Sequence, residues 1–315
     1  MSTAITLLLF ALGVVLIVKG GDLFVDAASW MARASGIPPF VIGATIVSLA
    51  TTLPEIIVSC IAAGQGKTEM AIGNAVGSVS ANTGLILSVG ILFLPAALPR
   101  RSLAPKGALF ILALLALWSG ARGGSLTLPE SVPLLLVFAL FILENVLAAK
   151  RSGEAPLDER PAAPKGAAGK KLLQFVLGTA GVVIGSQLLV STGSELARII
   201  GVPENIIGLT AIAIGTSLPE LVTTITAVVK RESSLSVGNI LGANIIDTAL
   251  ILPICALIGG GSLPVSSQTV LLDIPVCIIL AGVILLPAVG VRRLARWQGV
   301  LALGIYLSYL AVACL

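Results

Sequence analysis

The stretch ATTLPEIIVS, residues 50–59, puts a proline and a glutamate in the middle of a long apolar run, and GTSLPELVTT at 215–224 does the same again. Proline has no N–H, so Pro54 leaves the carbonyl of Ala50 without its helical partner, and Pro219 does this to Gly215. In hydrocarbon an orphaned carbonyl is costly unless it is buried in protein or lines a polar cavity. A carboxylate at the bilayer centre costs roughly 3 kcal/mol or more and marks function by default. One proline in a membrane helix is ordinarily a kink, and nearby Ser or Thr commonly satisfy the carbonyls it frees. Two equivalent breaks, each with its own acid, point to a site.

That these runs are membrane spans follows from composition. Hydrophobic residues make up 57% of the 315 positions and charged residues 11%, against about 25% charged in a soluble domain. Runs near the span length of roughly 20 residues fall at 4–27, 38–63, 70–95, 104–121, 128–149, 172–197, 203–229, 235–259, 266–290 and 296–314. The alternation of a membrane β-barrel is absent, which predicts an all-α polytopic membrane protein of ten transmembrane helices, the second and seventh broken. The first run lacks a basic leader and is expected to be a true span, not a removed signal. Trp30, Trp118 and Trp297 sit near run ends, as interfacial aromatics should. Cys60, Cys255, Cys277 and Cys314 are scattered singly and read as small buried hydrophobes. Histidine is absent altogether, which removes the usual zinc ligand and the usual proton shuttle near neutral pH.

The sequence pI near 9.0 is a topology signal and not a nucleic-acid footprint. With the loop after the fifth run in the cytoplasm, Arg33, Arg100, Arg101, Lys106, the six basic residues of 150–171, Lys230, Arg231, Arg292, Arg293 and Arg296 all fall inside. Lys67, Arg122 and Arg198 fall outside, and Lys19 lies within the first run. This bias places both termini outside the cell's inner (plasma) membrane. Near the inner end of the first helix, Lys19, Asp22 and Asp26 are expected to pair with one another or snorkel, and Glu144 and Asp273 to be interfacial.

The chain repeats with a constant offset of 165. Over 43–88 against 208–253, 14 of 46 positions are identical. The predicted organisation is a first five-helix repeat at 1–149, a Pro/Gly/Ala-rich cytoplasmic linker at 150–171 and a second repeat at 172–315. Five spans separate the copies, so the second enters the bilayer inverted, an arrangement that belongs to secondary transporters with a site near the midplane.

On the first broken helix Ser48, Thr51, Thr52, Glu55 and Ser59 recur at spacings of three and four, hence on one face. On the second, Ala213, Thr216, Ser217, Glu220 and Thr224 match them. The next helices add Asn74, Ser78 and Asn82 in one copy and Asn239, Ala243 and Asp247 in the other. The glycines Gly73/Gly77 and Gly238/Gly242 are expected to let these helices pack closely on the broken ones. All candidate ligands are oxygen, which disfavours soft metals and suits hard cations. Two glutamates with freed carbonyls suit a Ca²⁺ shell of six to eight oxygens, with Mg²⁺ ranked lower because it demands tighter geometry and keeps its water.

ATTLPE at 50–55, GTSLPE at 215–220 and the GN-x-x-G segments that follow resemble the alpha repeats of the sodium/calcium exchanger family, within the wider cation/Ca²⁺ exchanger superfamily and nearest to its compact prokaryotic members. The resemblance implies an antiporter that expels Ca²⁺ on the inward Na⁺ gradient by alternating access. It makes Glu55 and Glu220 shared ligands of Ca²⁺ and Na⁺, with the carbonyls of Thr51 and Thr216 in the Ca²⁺ shell. Thr52, Ser217 and Ser78 side chains and the carbonyls of Ser48 and Ala213 would line flanking Na⁺ sites, and Asn82 and Asp247 would complete the centre. The first and sixth helices, with Gly-rich turns at 20 and 185, would slide against the rest. Ala243 departs from the family's serine, and Asp247 facing Asn82 breaks the symmetry.

A proton/Ca²⁺ or K⁺-dependent cation/Ca²⁺ antiporter is the nearest alternative. The proton relatives carry a Glu-His pair that is missing here, and hydroxyl-rich stripes suit Na⁺, since a proton needs only the carboxylates. A passive channel would want a continuous pore, and an intramembrane hydrolase a base that the chain lacks. The reading is therefore not an enzyme, needs no cofactor, takes Ca²⁺ and Na⁺ as substrates, and requires no partner beyond the lipid bilayer or state beyond a monomer.

Overall fold

A computed structural model describes residues 3–153, 167–201 and 215–313. Among the described residues the regular structure is helical apart from two three-residue strands. In order it forms α1 (Thr3–Ser35), α2 (Pro39–Thr51), α3 (Leu53–Gly64), α4 (Thr68–Phe93), α5 (Arg100–Ala121), β1 (Ser125–Thr127), α6 (Leu128–Gly153), α7 (Ala167–Ile199), α8 (Leu218–Val229), α9 (Ser233–Ile258), β2 (Ser262–Pro264), α10 (Thr269–Val291) and α11 (Arg296–Ala313). Seven of the described helices are long and apolar enough to cross a membrane, or eight with α2 and α3 taken as one bent span. Large apolar side chains point outward along them, including Leu8, Phe93, Leu136 and Leu286. On a soluble protein so much exposed apolar surface would be an association site; here it is the lipid face.

Inside this shell α4 and α9 are the most enclosed helices. Small residues make that possible. A Cβ on Gly238 would lie 2.2 Å from the Phe40 carbonyl, and one on Gly242 2.5 Å from Ser48 Oγ, so α9 meets α2 backbone to backbone. The corresponding expectation for Gly73 and Gly77 finds nothing within 4 Å among the described residues. Under the 165 offset the counterparts of Phe40 and Ala44 are residues 205 and 209, which lie outside them.

Two sequence expectations about α1 and α7 are corrected. Gly20 and Gly185 sit within continuous helices of 33 residues each, not in turns. Their role is contact: a Cβ on Gly20 would stand 2.8 Å from Val182 N, and one on Gly185 2.9 Å from the Gly13 carbonyl. The pair packs chiefly against itself. Further, Asp22 and Asp26 do not pair with Lys19; they reach Lys230 Nζ at 3.3 and 2.8 Å, because the turn after α8 lies against the end of α1.

Charges placed at run ends also turn out to be internal. Lys106 is wholly buried in α5, forms an ion pair with Glu144 of α6 and sits 5.5 Å from the centre of the Phe40 ring. Asp273 accepts hydrogen bonds from Tyr309 Oη and Thr269 Oγ1, both at 3.1 Å. Glu144 and Asp273, both partly buried, thus each have partners within the protein. Cys60, Cys255 and Cys277 carry free thiols, and Cys314 lies outside the described residues. The ends of the expected linker are helical, with α6 running to Gly153 and α7 starting at Ala167.

Candidate ion-binding site

Both LPE motifs begin a helix in the same way. Thr52 has φ −83° and ψ 0°, Ser217 φ −87° and ψ 3°, and each is followed by a new helix with proline in its first turn. This is the bridge region between helical and extended backbone, sparsely populated and frequent at sites. Proline is tolerated there because the first turn has no intrahelical use for its N–H. The resulting bend between α2 and α3 is 46°. Glu55 and Glu220 lie in the first turns of α3 and α8, where the helix dipole favours an anion.

The helices that follow open at matching points. Asn82 begins a π-helical segment, Asn82–Leu87, in α4, and Asp247 begins another, Asp247–Ile251, in α9. Such wide turns insert a residue into the helix and recur at functional sites. The segment at Asn82 packs against α8 and that at Asp247 against α3, so each faces the glutamate-bearing helix of the other copy.

Hydrogen bonds then tie the copies together. Thr51 Oγ1 donates to Asn239 Oδ1 at 3.1 Å, and its counterpart Thr216 Oγ1 donates to Asn74 Oδ1 at 3.2 Å. The amides are held in turn, Asn74 Nδ2 donating to Ser59 Oγ at 2.9 Å and Asn239 Nδ2 to Thr223 Oγ1 at 3.1 Å. Ser217 and Ser78 hydroxyls meet at 3.5 Å. The equivalent contact would join Thr52 to residue 243, but Ala243 has no hydroxyl. Thr52 Oγ1 donates instead to Glu220 Oε1 at 3.3 Å.

What remains unpaired defines the chemistry. Both carboxylate oxygens of Glu55 and of Asp247, Oε2 of Glu220 and Oδ1 of Asn82 are buried without a hydrogen-bond partner. Buried polar groups are normally satisfied, and every one of these atoms is an acceptor. Glu55 is close enough to Glu220 and Asp247 for their charges to act on it. A cation answers such a set. Among the described residues no three acidic, histidine or cysteine side chains converge tightly enough to chelate an ion alone, so hydroxyl, amide and carbonyl oxygens must share the work. Hard cations accept that mixture.

Of the residues expected from sequence, Ser48, Thr51, Thr52, Glu55, Ser78, Asn82, Ser217, Glu220 and Asp247 are all buried, and Thr216 is partly so. Ser48's carbonyl already accepts from Thr52 N at 2.9 Å and from Thr51 Oγ1 at 3.3 Å. Ala213 lies outside the described residues. Sequence reasoning put Asn74 and Asn239 on the polar stripe but gave neither a part in holding the ions, and the structure shows them fixing Thr216 and Thr51. Sequence reasoning left out Asn244, whose Nδ2 donates to Thr83 Oγ1 at 2.9 Å, and there the copies differ.

Fold and site together define a polytopic membrane protein that encloses a cluster of buried, unpartnered acceptor oxygens around its two LPE motifs. A model of the sodium/calcium exchanger protein family matches residues 5–146 and 170–315. The chain is 30% identical over 351 residues to sodium/calcium exchanger MaX1 of Methanosarcina acetivorans, with 98% of each chain covered. It is 36% identical over 261 residues to inner membrane protein YrbG of Escherichia coli, covering 81% of this chain and 80% of that one. Structures of the sodium-calcium exchanger NCX_Mj superpose with a TM-score of 0.85 at 27% identity over 99% of both chains, in a crystal soaked with Na⁺ and Sr²⁺. The chain belongs to the sodium/calcium exchanger family, and its relatives are transporters of cations rather than enzymes.

Proposed function

We propose that the protein exchanges Na⁺ for Ca²⁺ across the inner membrane by alternating access, the inward Na⁺ gradient driving Ca²⁺ out. The observation that carries this is the group of buried, unpartnered acceptor oxygens on Glu55 and Glu220 of the two LPE motifs and on Asn82 and Asp247 of the two facing π-helical turns. Glu55 and Glu220 are the ligands common to both ions. Thr51 and Thr216 contribute carbonyls to Ca²⁺, and Asn82 and Asp247 close the central shell. Thr52, Ser217 and Ser78 hydroxyls with the Ser48 and Ala213 carbonyls form the flanking Na⁺ positions. Because an empty shell leaves carboxylates facing one another in low dielectric, the centre is stable only when loaded, and loading by either ion couples the two fluxes.

The architecture in this reading is ten spans in two inverted repeats of five helices, at 1–149 and 172–315, around a cytoplasmic linker. The loop contacts support it. β1 pairs antiparallel with β2, and both belong to loops assigned outside. Ala97 bridges Arg293, and Arg33 pairs with Glu232 at 3.2 Å; all of these are assigned inside. An even number of spans with both termini outside satisfies every one of these contacts. A monomer in the plasma membrane suffices.

The test is uptake of radioactive Ca²⁺ by proteoliposomes of purified protein loaded with Na⁺. A Na⁺ gradient should drive saturable uptake, and a pH gradient or K⁺ alone should not. Uptake driven equally by pH would make this a proton-coupled antiporter, and flux without any counter-ion would make it a channel.

A further inference from the structure

A second polar site lies away from the ion centre, at the face to which the positive-inside bias assigns the cytoplasm. The loop between α4 and α5 and the loop between α10 and α11 run side by side there. Leu98 N donates to the Arg292 carbonyl at 3.2 Å and Leu294 N to the Ala96 carbonyl at 2.8 Å. This pairing holds Arg292 in the left-handed region, φ 59° and ψ 26°, a conformation that a non-glycine residue adopts at a cost. Beside it opens a cavity of ≈ 920 Å³ lined by Arg100, Arg101, Arg151 and Arg292 with Pro99 and Pro105 among its apolar walls. Among the described residues no carboxylate lines the cavity, and no ion pair engages any of these four arginines. Arg296, close in sequence, is used otherwise, donating to the Leu92 carbonyl.

Four like charges around one cavity repel unless an anion sits among them, and the guanidinium fork matches phosphate oxygens two at a time. Phe93 and Val291, which immediately precede the two loops, are each 73% exposed to the lipid face. A ligand with a phosphate at one end and hydrocarbon at the other fits both features at once. We propose that this cavity binds the phosphate headgroup of an anionic phospholipid of the inner leaflet, its acyl chains lying along the outer faces of α4 and α10. Basic pockets between spans on the cytoplasmic side are a known form of headgroup recognition. The bound lipid clamps two loops, one from each half of the chain, and its presence does not depend on which ions are exchanged.

Native mass spectrometry of the purified full-length protein, delipidated and then offered phosphatidylglycerol or phosphatidylcholine, tests this directly. The wild type should retain phosphatidylglycerol and not phosphatidylcholine. The double variant Arg100→Gln, Arg292→Gln should hold it at least about tenfold more weakly, the loss of charge-assisted hydrogen bonds. The double variant Arg100→Lys, Arg292→Lys keeps the charge without the fork and should fall between. All these side chains are exposed, and unchanged Ca²⁺ binding confirms that the variants are folded. Equal retention by wild type and the glutamine variant overturns the proposal. Binding of inorganic pyrophosphate with the same arginine dependence, but none of phosphatidylglycerol, overturns the lipid assignment and makes the site one for soluble phosphates.

Discussion

Replacing Gly242 by alanine sets two opposed effects against each other. In a helix interior the change should stabilise by up to about 1 kcal/mol through backbone entropy. Here, however, the new methyl would stand 2.7 Å from the Ala44 carbonyl and from Ser48 Cβ, where ordinary contact begins at 3.4 Å. Something must yield by about 0.7 Å, and overpacking of that order costs about 1–3 kcal/mol. The contact wins. The yielding element is α2, which carries Ser48 and Thr51 and leads into Thr52, whereas a metal shell tolerates ligand displacements of about 0.2 Å. Relaxed α2 must be pushed back for the ion to be gripped, so the strain returns on binding. Gly242→Ala should therefore weaken Ca²⁺ roughly tenfold to a hundredfold, with a measurable fall in thermal stability. Isothermal titration of detergent-solubilised protein reads the first and a thermal melt the second. Gly304→Ala, where nothing lies within 4 Å among the described residues, is the control. Binding by Gly242→Ala within twofold of wild type would refute both the contact and the placement of the site beside α2.

The remaining expectations are briefer. Glu55→Gln and Glu220→Gln should each abolish Ca²⁺ binding while the protein stays folded; binding near wild-type strength in both variants would remove these residues from the site. Ala243→Ser restores a hydroxyl opposite Thr52 and should strengthen Na⁺ competition against Ca²⁺, read as a lower half-inhibiting Na⁺ concentration. Lys106→Met alone strands Glu144 beside a buried gap and should cost about 3 kcal/mol, whereas Lys106→Met with Glu144→Gln should recover most of it in a thermal melt. For Lys230, burial pulls the ammonium down, but hydrogen bonds and charge from Asp26 and Asp22 outweigh it and hold it above the usual lysine range. A raised folded value contributes stability that is full below the unfolded lysine pKa and lost as pH rises through the folded one. Asp26→Asn should thus lower the melting temperature at pH 8 and leave little difference near pH 12.

The helix break at Pro54 was legible because proline and glutamate inside hydrocarbon have few explanations, and because the pattern Thr-x-Leu-Pro-Glu at 51–55 recurs at 216–220. The ligand stripe followed from helical periodicity alone. The π-helical turns at Asn82 and Asp247 were not legible, since a one-residue insertion in hydrogen bonding leaves no compositional mark. Lys106 counted among the inner-side charges from its place near a run end, but its burial against Glu144, 38 residues on, leaves no mark in composition. Gly20 and Gly185 were taken for turns because glycine signals both bends and close approach, and sequence does not separate the two. The switch of Thr52 toward Glu220 follows from a missing hydroxyl at 243, which the sequence displayed but could not orient.

The paired bonds from Thr51 to Asn239 and from Thr216 to Asn74 have a consequence for the molecule's ancestry and its fragility. Neither half owns a complete set of partners, so a fragment ending before the linker would carry a hydroxyl and an amide each waiting on the missing piece. A half-length forebear could have closed this lattice only by meeting a second copy of itself. Damage to an asparagine on one side is accordingly felt by the threonine on the other, and the two lobes stand or fall as one.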